Sequence, residues 1–215
     1  LVLLVTRPYL MGVLVISTFY EVCSQIIDYQ MHVQASHVPE YASAIAFSRF
    51  EGIFGVSANG LSFVIALLGT SYIIKRFGTR ISLLIYPIVF ALTISALLFF
   101  FYTSPTSAQL LWATFAAFMV VKSLGYALNN PLKEMMYIPT SKDAKFKSKG
   151  WIDMFGGRFS KATGGRITNF FKHDLSDLMV YGTFISFGII GVWLAAAFYV
   201  GRKNQQLIHE GKIIE

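Results

Sequence analysis

Apolar runs of about 20 residues recur along the chain, at 9–27, 52–74, 81–102, 109–128 and 178–200. Each is long enough to cross a hydrocarbon core of about 30 Å as a helix. A membrane strand would need only about 10 residues of alternating polarity, and no such alternation is present. A sixth segment, 151–171, falls where a span is expected yet carries Asp153, Arg158, Lys161 and Arg166. A cation at the centre of a lipid-facing helix costs about 2.5–3.5 kcal/mol, so three of them cannot face lipid. Such a helix is tolerated where neighbouring spans enclose it around water or a charged ligand. The pattern therefore predicts an all-α membrane protein with six transmembrane helices and an electropositive path among them. A surface-lying amphipathic helix is the alternative for 151–171.

The distribution of Lys and Arg favours the crossing. Arg7, Lys75, Arg76, Arg80, Lys133, Lys142, Lys145, Lys147, Lys149, Arg202, Lys203 and Lys212 fall on one side of a six-span arrangement, and only Arg49 and Lys172 on the other. Cytoplasmic loops hold such an excess, which places both chain ends in the cytoplasm. Removing the polar span would put the C-terminal cluster on the wrong side. With 55% hydrophobic and 13% charged residues and a mean hydropathy of +0.58, the chain is too apolar for an ordinary soluble domain. Its net charge of +7 then reads as membrane orientation, not as a nucleic-acid surface. The chain opens without methionine inside an apolar run, and is expected to be part of a longer protein. Residues 1–27 have neither a basic leader nor a small-residue cleavage site. No linker divides residues 1–215, which read as one domain, and no internal repeat stands out.

Candidate chemistry lies inside the spans. On a helix at 100° per residue, Lys122 shares a face with Gly125, Tyr126 and Asn129. It can line a cavity, pair with a carboxylate or snorkel. In 151–171, Arg158, Lys161, Gly165, Asn169 and Arg166 gather on one face, and Ile152, Phe159, Ile167 and Phe170 on the other. Gly156, Gly157, Gly164 and Gly165 can admit a neighbouring helix or a bulky ligand. Glu21 and Asp28, on the first span, are candidates for proton coupling; Glu21 can equally neutralise Lys122 or Arg158. The four histidines, at 32, 37, 173 and 209, lack metal-ligand spacing. No nucleophile, base and orienter set is present, so neither an enzyme nor a metal or other cofactor is expected. Lys145, Lys147 and Lys149 read as an inside-loop charge run, with phosphate binding as the alternative. Cys23 is the lone cysteine and cannot form an internal disulfide.

The tight connection at residues 69–80, with Gly78 at the turn and Arg76 and Arg80 beside it, resembles the signature between the second and third helices of a six-helix half in the major facilitator superfamily. The acidic member of that signature is missing, with Tyr72 or Ile73 near its place. The resemblance implies gating or interhelix contact for Arg76 and Arg80.

A longer stretch is more specific. Pro131, Lys133, Glu134, Met135, Tyr137, Ile138 and Pro139, then Lys147, Lys149, Ile152 and Asp153, then Lys161 and Gly164, resemble the successive motifs of the bacterial and plastid ATP:ADP antiporter family. Tyr20 and residues 25–28 resemble that family's carboxylate-bearing polar helix. The resemblance is specific over 130–164 and loose elsewhere. Leu132, Asn130, Gly125, His32 and Asp28 depart from the family pattern, mostly by weakening charge.

The resemblance implies one half of a twelve-helix major-facilitator-type fold: the C-terminal six helices, partnered by an N-terminal half and the lipid bilayer. It implies movement of ATP, ADP or related nucleotides by alternating access, through exchange or proton coupling. Phosphates would meet Lys122, Arg158, Lys161, Arg166 and Asn169, and Tyr20, Tyr126 or Tyr137 would stack on the base. Lys133, Glu134 and Asp153 suit an inside gate or ion pair. A bacterial inner membrane is expected, with a plastid envelope as alternative. A carrier of another organic anion and a non-transporting membrane module remain the competing readings.

Overall fold

The computed structural model describes residues 6–171 and 174–214, apart from the side chain of Phe155. Lys172 and His173 lie outside the described residues. Helix α1 spans Pro8–Ser36. Helix α2, Ala44–Ile65, runs through a π turn at Ala66–Thr70 into α3, Ser71–Phe101. Helix α4, Ser107–Leu124, continues through a second π turn, Gly125–Asn129, into α5, Asn130–Met136. Helix α6, Lys142–Trp151, joins α7, Gly157–Phe170, through a third, Ile152–Gly156. Helix α8 covers Leu175–His209. Among the described residues the only extended pairing is an isolated bridge between Thr140 and Ile214.

Local chemistry sets the starts. Pro8 opens α1, where its missing N–H is not needed. At α4, Thr106 Oγ1 accepts from Gln109 N while Gln109 Oε1 accepts from Thr106 N, a reciprocal capping box. Ser141 caps α6, and Asp174 Oδ1 takes the first amides of α8.

Four helical runs are long and apolar enough to cross a membrane: Pro8–Ser36, Ala44–Phe101, Ser107–Met136 and Leu175–His209. The run over α2 and α3 is broken at Gly78, whose φ of 73° and ψ of 166° are not helical. The polar segment 151–171 is helical as expected, but it is the second part of a run that starts at Lys142.

Helix α1 is central, packing against α8, α7 and α4; α3 packs on α8 and α2 on α4. Tyr86, Phe90 and Trp193 form the aromatic centre of the core. Several polar side chains inside the bundle find backbone carbonyls, which satisfies them where water is excluded. Ser123 donates to Ala58 O at 2.9 Å, Thr70 to Ala127 O at 2.7 Å and Gln30 to Leu178 O at 3.0 Å. Ile53, Val56, Phe63, Val64, Leu67 and Leu68 are exposed along α2 and its π turn. Such a surface fits lipid and would be an association patch in water.

The packed face of α7 is neither its basic nor its apolar side. Ser160, Gly164 and Thr168 of α7, with Ile152 and Gly156 of the preceding π turn, follow one another at spacings of four and are buried, while Phe159 and Phe170 are exposed. Ser160 Oγ lies 2.9 Å from Thr18 O on α1. A Cβ on Gly164 would come within 2.7 Å of Gln25 Cβ. Small residues thus bring two helix backbones together.

Segments rich in cations meet at one end of the bundle. Tyr9 donates to Met136 O at 2.5 Å and accepts from Asn204 Nδ2 at 2.8 Å, tying the start of α1 to α5 and α8. Ser141 N donates to Ile214 O, and Ile214 N to Pro139 O.

Candidate functional site

Four polar residues of α1, Glu21, Gln25, Asp28 and His32, follow one another at spacings of four, three and four, so they form a stripe along one face. Two concavities open along it. The first, about 190 Å³, is lined by α1 residues including Glu21 and Gln25, by Tyr86, by Lys122 and Tyr126 near the α4 π turn, and by Lys161 of α7. The second, about 660 Å³, adjoins it. Asp28 and His32 line one wall, and Lys161, Gly165, Arg166 and Asn169 the other. Gln25 and Lys161 belong to both.

Lys122 is half-buried. Its ammonium lies 5.4 Å from the ring centre of Phe118 and 5.8 Å from that of Tyr126, one helical turn to either side. Cation–π attraction holds such an ammonium without neutralising it. Among the described residues, neither Lys122 nor Lys161 has a carboxylate within 4 Å. Glu21 therefore neutralises neither Lys122 nor Arg158 by direct contact; it accepts from Tyr20 OH at 3.2 Å. A Cβ on Gly157 would sit 3.5 Å from its Oε2, so the carboxylate rests against the start of α7. Gly125 is needed because a Cβ there would lie 2.9 Å from Tyr86 OH.

Lys161, Arg166 and Asn169 therefore line connected space with Lys122 and Tyr126, whereas Arg158 is exposed on α7 and lines neither concavity. This chain by itself leaves Arg158, Lys161 and Arg166 exposed, because α7 is packed only along its small-residue face. The three tyrosines differ too. Tyr137 is buried at the basic end, where burial and the charges of Asp153 and Glu134 push its phenol well above the usual range. One face of Tyr20 is covered by the Lys133 ammonium, 4.7 Å from the ring centre. Tyr126, 46% exposed, keeps an accessible surface.

Glu134 pairs with Lys149 and, at 3.8 Å, with Lys145, joining α5 to α6. Asp153 is within electrostatic reach of Lys133 but makes no ion pair among the described residues. Arg76 is exposed; Arg80 stacks 5.0 Å from the Phe198 ring centre. Neither arginine has a carboxylate partner among the described residues.

Sequence reading missed one pair. His32 Nε2 lies 2.6 Å from Glu51 Oε1 on α2 and 3.9 Å from Asp28 Oδ1. The i, i+4 spacing of Asp28 and His32 could have signalled that these two share a face of α1, but nothing in the sequence pointed to Glu51. No group of three or more His, Cys, Asp or Glu suited to a metal occurs among the described residues.

Comparison with known proteins adds independent findings. A family model described as TLC ATP/ADP transporter matches residues 1–204. The chain is 29% identical to ADP,ATP carrier protein 2, chloroplastic, of Arabidopsis thaliana, over 98% of this chain and 36% of that protein. It is 27% identical to ADP,ATP carrier protein 1 of Chlamydia pneumoniae, over 90% of this chain and 40% of that protein. It is 30% identical to the plastidic ATP/ADP-transporter of Solanum tuberosum, over 80% of this chain and 29% of that protein. The chain thus spans well under half the length of these curated relatives. No solved structure matches it significantly.

Proposed function

Because the chain belongs to the TLC ATP/ADP transporter family, we propose that it is the C-terminal half of a nucleotide carrier moving ATP, ADP or a close relative by alternating access. The observation that carries this reading is the convergence of Lys122 and Lys161, from separate helices, on one concavity without a neutralising carboxylate. Ammonium groups without a carboxylate partner suit phosphate oxygens, and the attraction would strengthen once a covering N-terminal half excludes water. Arg166 and Asn169 extend the same surface, and the Arg166 guanidinium can hold phosphate in a bidentate manner. Tyr126 is the residue placed to stack on a base. Arg158 contributes to the surface that the N-terminal half would cover, and that half would shelter the cations this chain leaves open. Rocking of the two halves would then expose the site to either side in turn.

Six crossings follow from the same reading. The run over α2 and α3 would be about 87 Å long if straight, nearly three times the hydrocarbon core, so the break at Gly78 separates two spans. Segment 151–171 supplies the sixth as a shielded polar helix of a major-facilitator-type half. The basic end then faces the cytoplasm of a bacterial inner membrane or its plastid counterpart. Lys133, Glu134 and Asp153 would hold the inside gate, with Arg76 and Arg80 at the Gly78 connection. Glu21 and Asp28 are the carboxylates available for proton coupling. A carrier fits this set of residues, and an enzyme does not.

The test is the full-length protein in liposomes with labelled ATP, ADP, other nucleotides and organic anions, with and without internal nucleotide and a pH gradient. Lys161→Gln and Lys122→Gln should each weaken nucleotide uptake about tenfold or more, as expected for removing a charged hydrogen bond. Wild-type uptake by both variants, at equal protein level, would remove these residues from the site. Dependence on internal nucleotide marks exchange; dependence on the pH gradient marks symport.

A further inference from the structure

A crevice of about 710 Å³ lies at the basic end, away from the concavities along α1, where the Gly78 break faces the last turns of α8. Its rim is polar, with Arg80, Gln205 and His209; its wall is apolar, with Ile81, Leu84 and Phe198. Ile81 and Phe198 are exposed at 51% and 46%, on the two helices that frame the crevice.

We propose that this crevice binds an anionic phospholipid, with the headgroup phosphate at Arg80 and His209 and the acyl chains along Ile81, Leu84 and Phe198. Charge complementarity is the first support. Arg80 has no carboxylate partner among the described residues, and its guanidinium is positioned by the Phe198 ring. No acidic residue occurs in 75–80 or 202–209, while Lys75, Arg76, Arg202 and Lys203 raise the local positive charge. The nearby Glu210 is engaged by Lys212 at 2.7 Å and by Gln206 at 2.7 Å. Position is the second support. The Arg80 backbone is seated against α8, since a Cβ on Gly201 would come within 3.0 Å of Arg80 Cα. The arginine is thereby fixed at the end of two apolar helices, at the level where a phosphate would follow acyl chains lying on them. A third feature concerns the headgroup. Asn204, 1% exposed and part of the crevice lining, uses Nδ2 on Tyr9 and leaves Oδ1 without a partner. That acceptor suits a headgroup hydroxyl or ammonium.

Thermal unfolding of the full-length protein in detergent, titrated with short-chain phosphatidylglycerol, phosphatidylcholine or inorganic phosphate, tests the site. Phosphatidylglycerol should stabilise the protein saturably and phosphatidylcholine much less. Arg80→Gln should raise the half-saturating phosphatidylglycerol concentration about tenfold, the loss expected for one charged hydrogen bond. Ile208, an exposed residue that also lines the crevice, offers a second variant: Ile208→Trp would fill the apolar wall, leave Arg80 in place and weaken the response as well, and it serves if the arginine variant folds poorly. Equal stabilisation by phosphatidylcholine would overturn the proposal, as would an unchanged half-saturation in both variants. If inorganic phosphate reproduces the shift, the site is a phosphate pocket and not a lipid site. The titration contains no nucleotide, so its outcome is separable from that of the transport assay.

Discussion

Gly164 and Gly165 are neighbours in sequence with opposite surroundings, and substituting each by alanine isolates the packing of α7 on α1. A Cβ at 164 would lie 2.7 Å from Gln25 Cβ and 3.3 Å from its Cγ. Gln25 Cβ is fixed to the α1 backbone and cannot swing aside. Carbon atoms settle at about 3.5–4.0 Å, so α7 would have to retreat by about 1 Å. Overpacking of this kind costs about 1–3 kcal/mol. Replacing glycine by alanine inside a helix returns about 1 kcal/mol at either position. At 165 a Cβ meets nothing within 4 Å, so only the favourable part remains. Because the helix preference cancels between the two variants, Gly164→Ala should be about 1–3 kcal/mol less stable than Gly165→Ala. Denaturant unfolding of the purified full-length protein measures that difference. The retreat would also carry Lys161 away from Lys122, so Gly164→Ala should reduce uptake beyond its effect on protein level. Equal stability of the two variants would refute the packing described for this face.

Three further outcomes follow. Tyr9→Phe leaves the buried Met136 carbonyl and Asn204 Nδ2 without their present partner, and should cost about 1–3 kcal/mol in the same unfolding assay. Glu134→Gln removes exposed ion pairs with Lys149 and Lys145, and should change stability by about 1 kcal/mol or less, so any larger loss of uptake would report on gating. Cys23, 1% exposed, should resist a membrane-permeant maleimide in the folded protein and react after denaturation, once cysteines outside residues 1–215 are replaced.

Helix class, the apolar runs and the cationic character of 151–171 could be read from the sequence because they follow from composition over a window. A run of 20 apolar residues and the cost of placing Arg158, Lys161 and Arg166 in lipid are local properties, independent of any partner. The basic motifs at 130–164 carried the family resemblance for the same reason, as short stretches of chain.

What the pattern left open depends on how helices are rotated and set in depth against one another. Periodicity placed Lys161 and Arg166 on a basic face, but not Lys161 beside Lys122 or Arg158 outside both concavities. Nor did it show that α7 packs through Gly156, Ser160, Gly164 and Thr168 while Phe159 and Phe170 stay exposed. Small residues let the backbones of α7 and α1 approach, and a helix surrounded by lipid would gain no hydrophobic free energy by burying Phe159 or Phe170 instead. The pairing of His32 with Glu51, and the junction of Tyr9, Met136 and Asn204, join residues distant in the chain. Sequence thus determined which segments are long and apolar enough to cross a membrane and which charges each segment carries. Only the packed helices decided which of those charges meet, because that depends on contacts between segments that no single window contains.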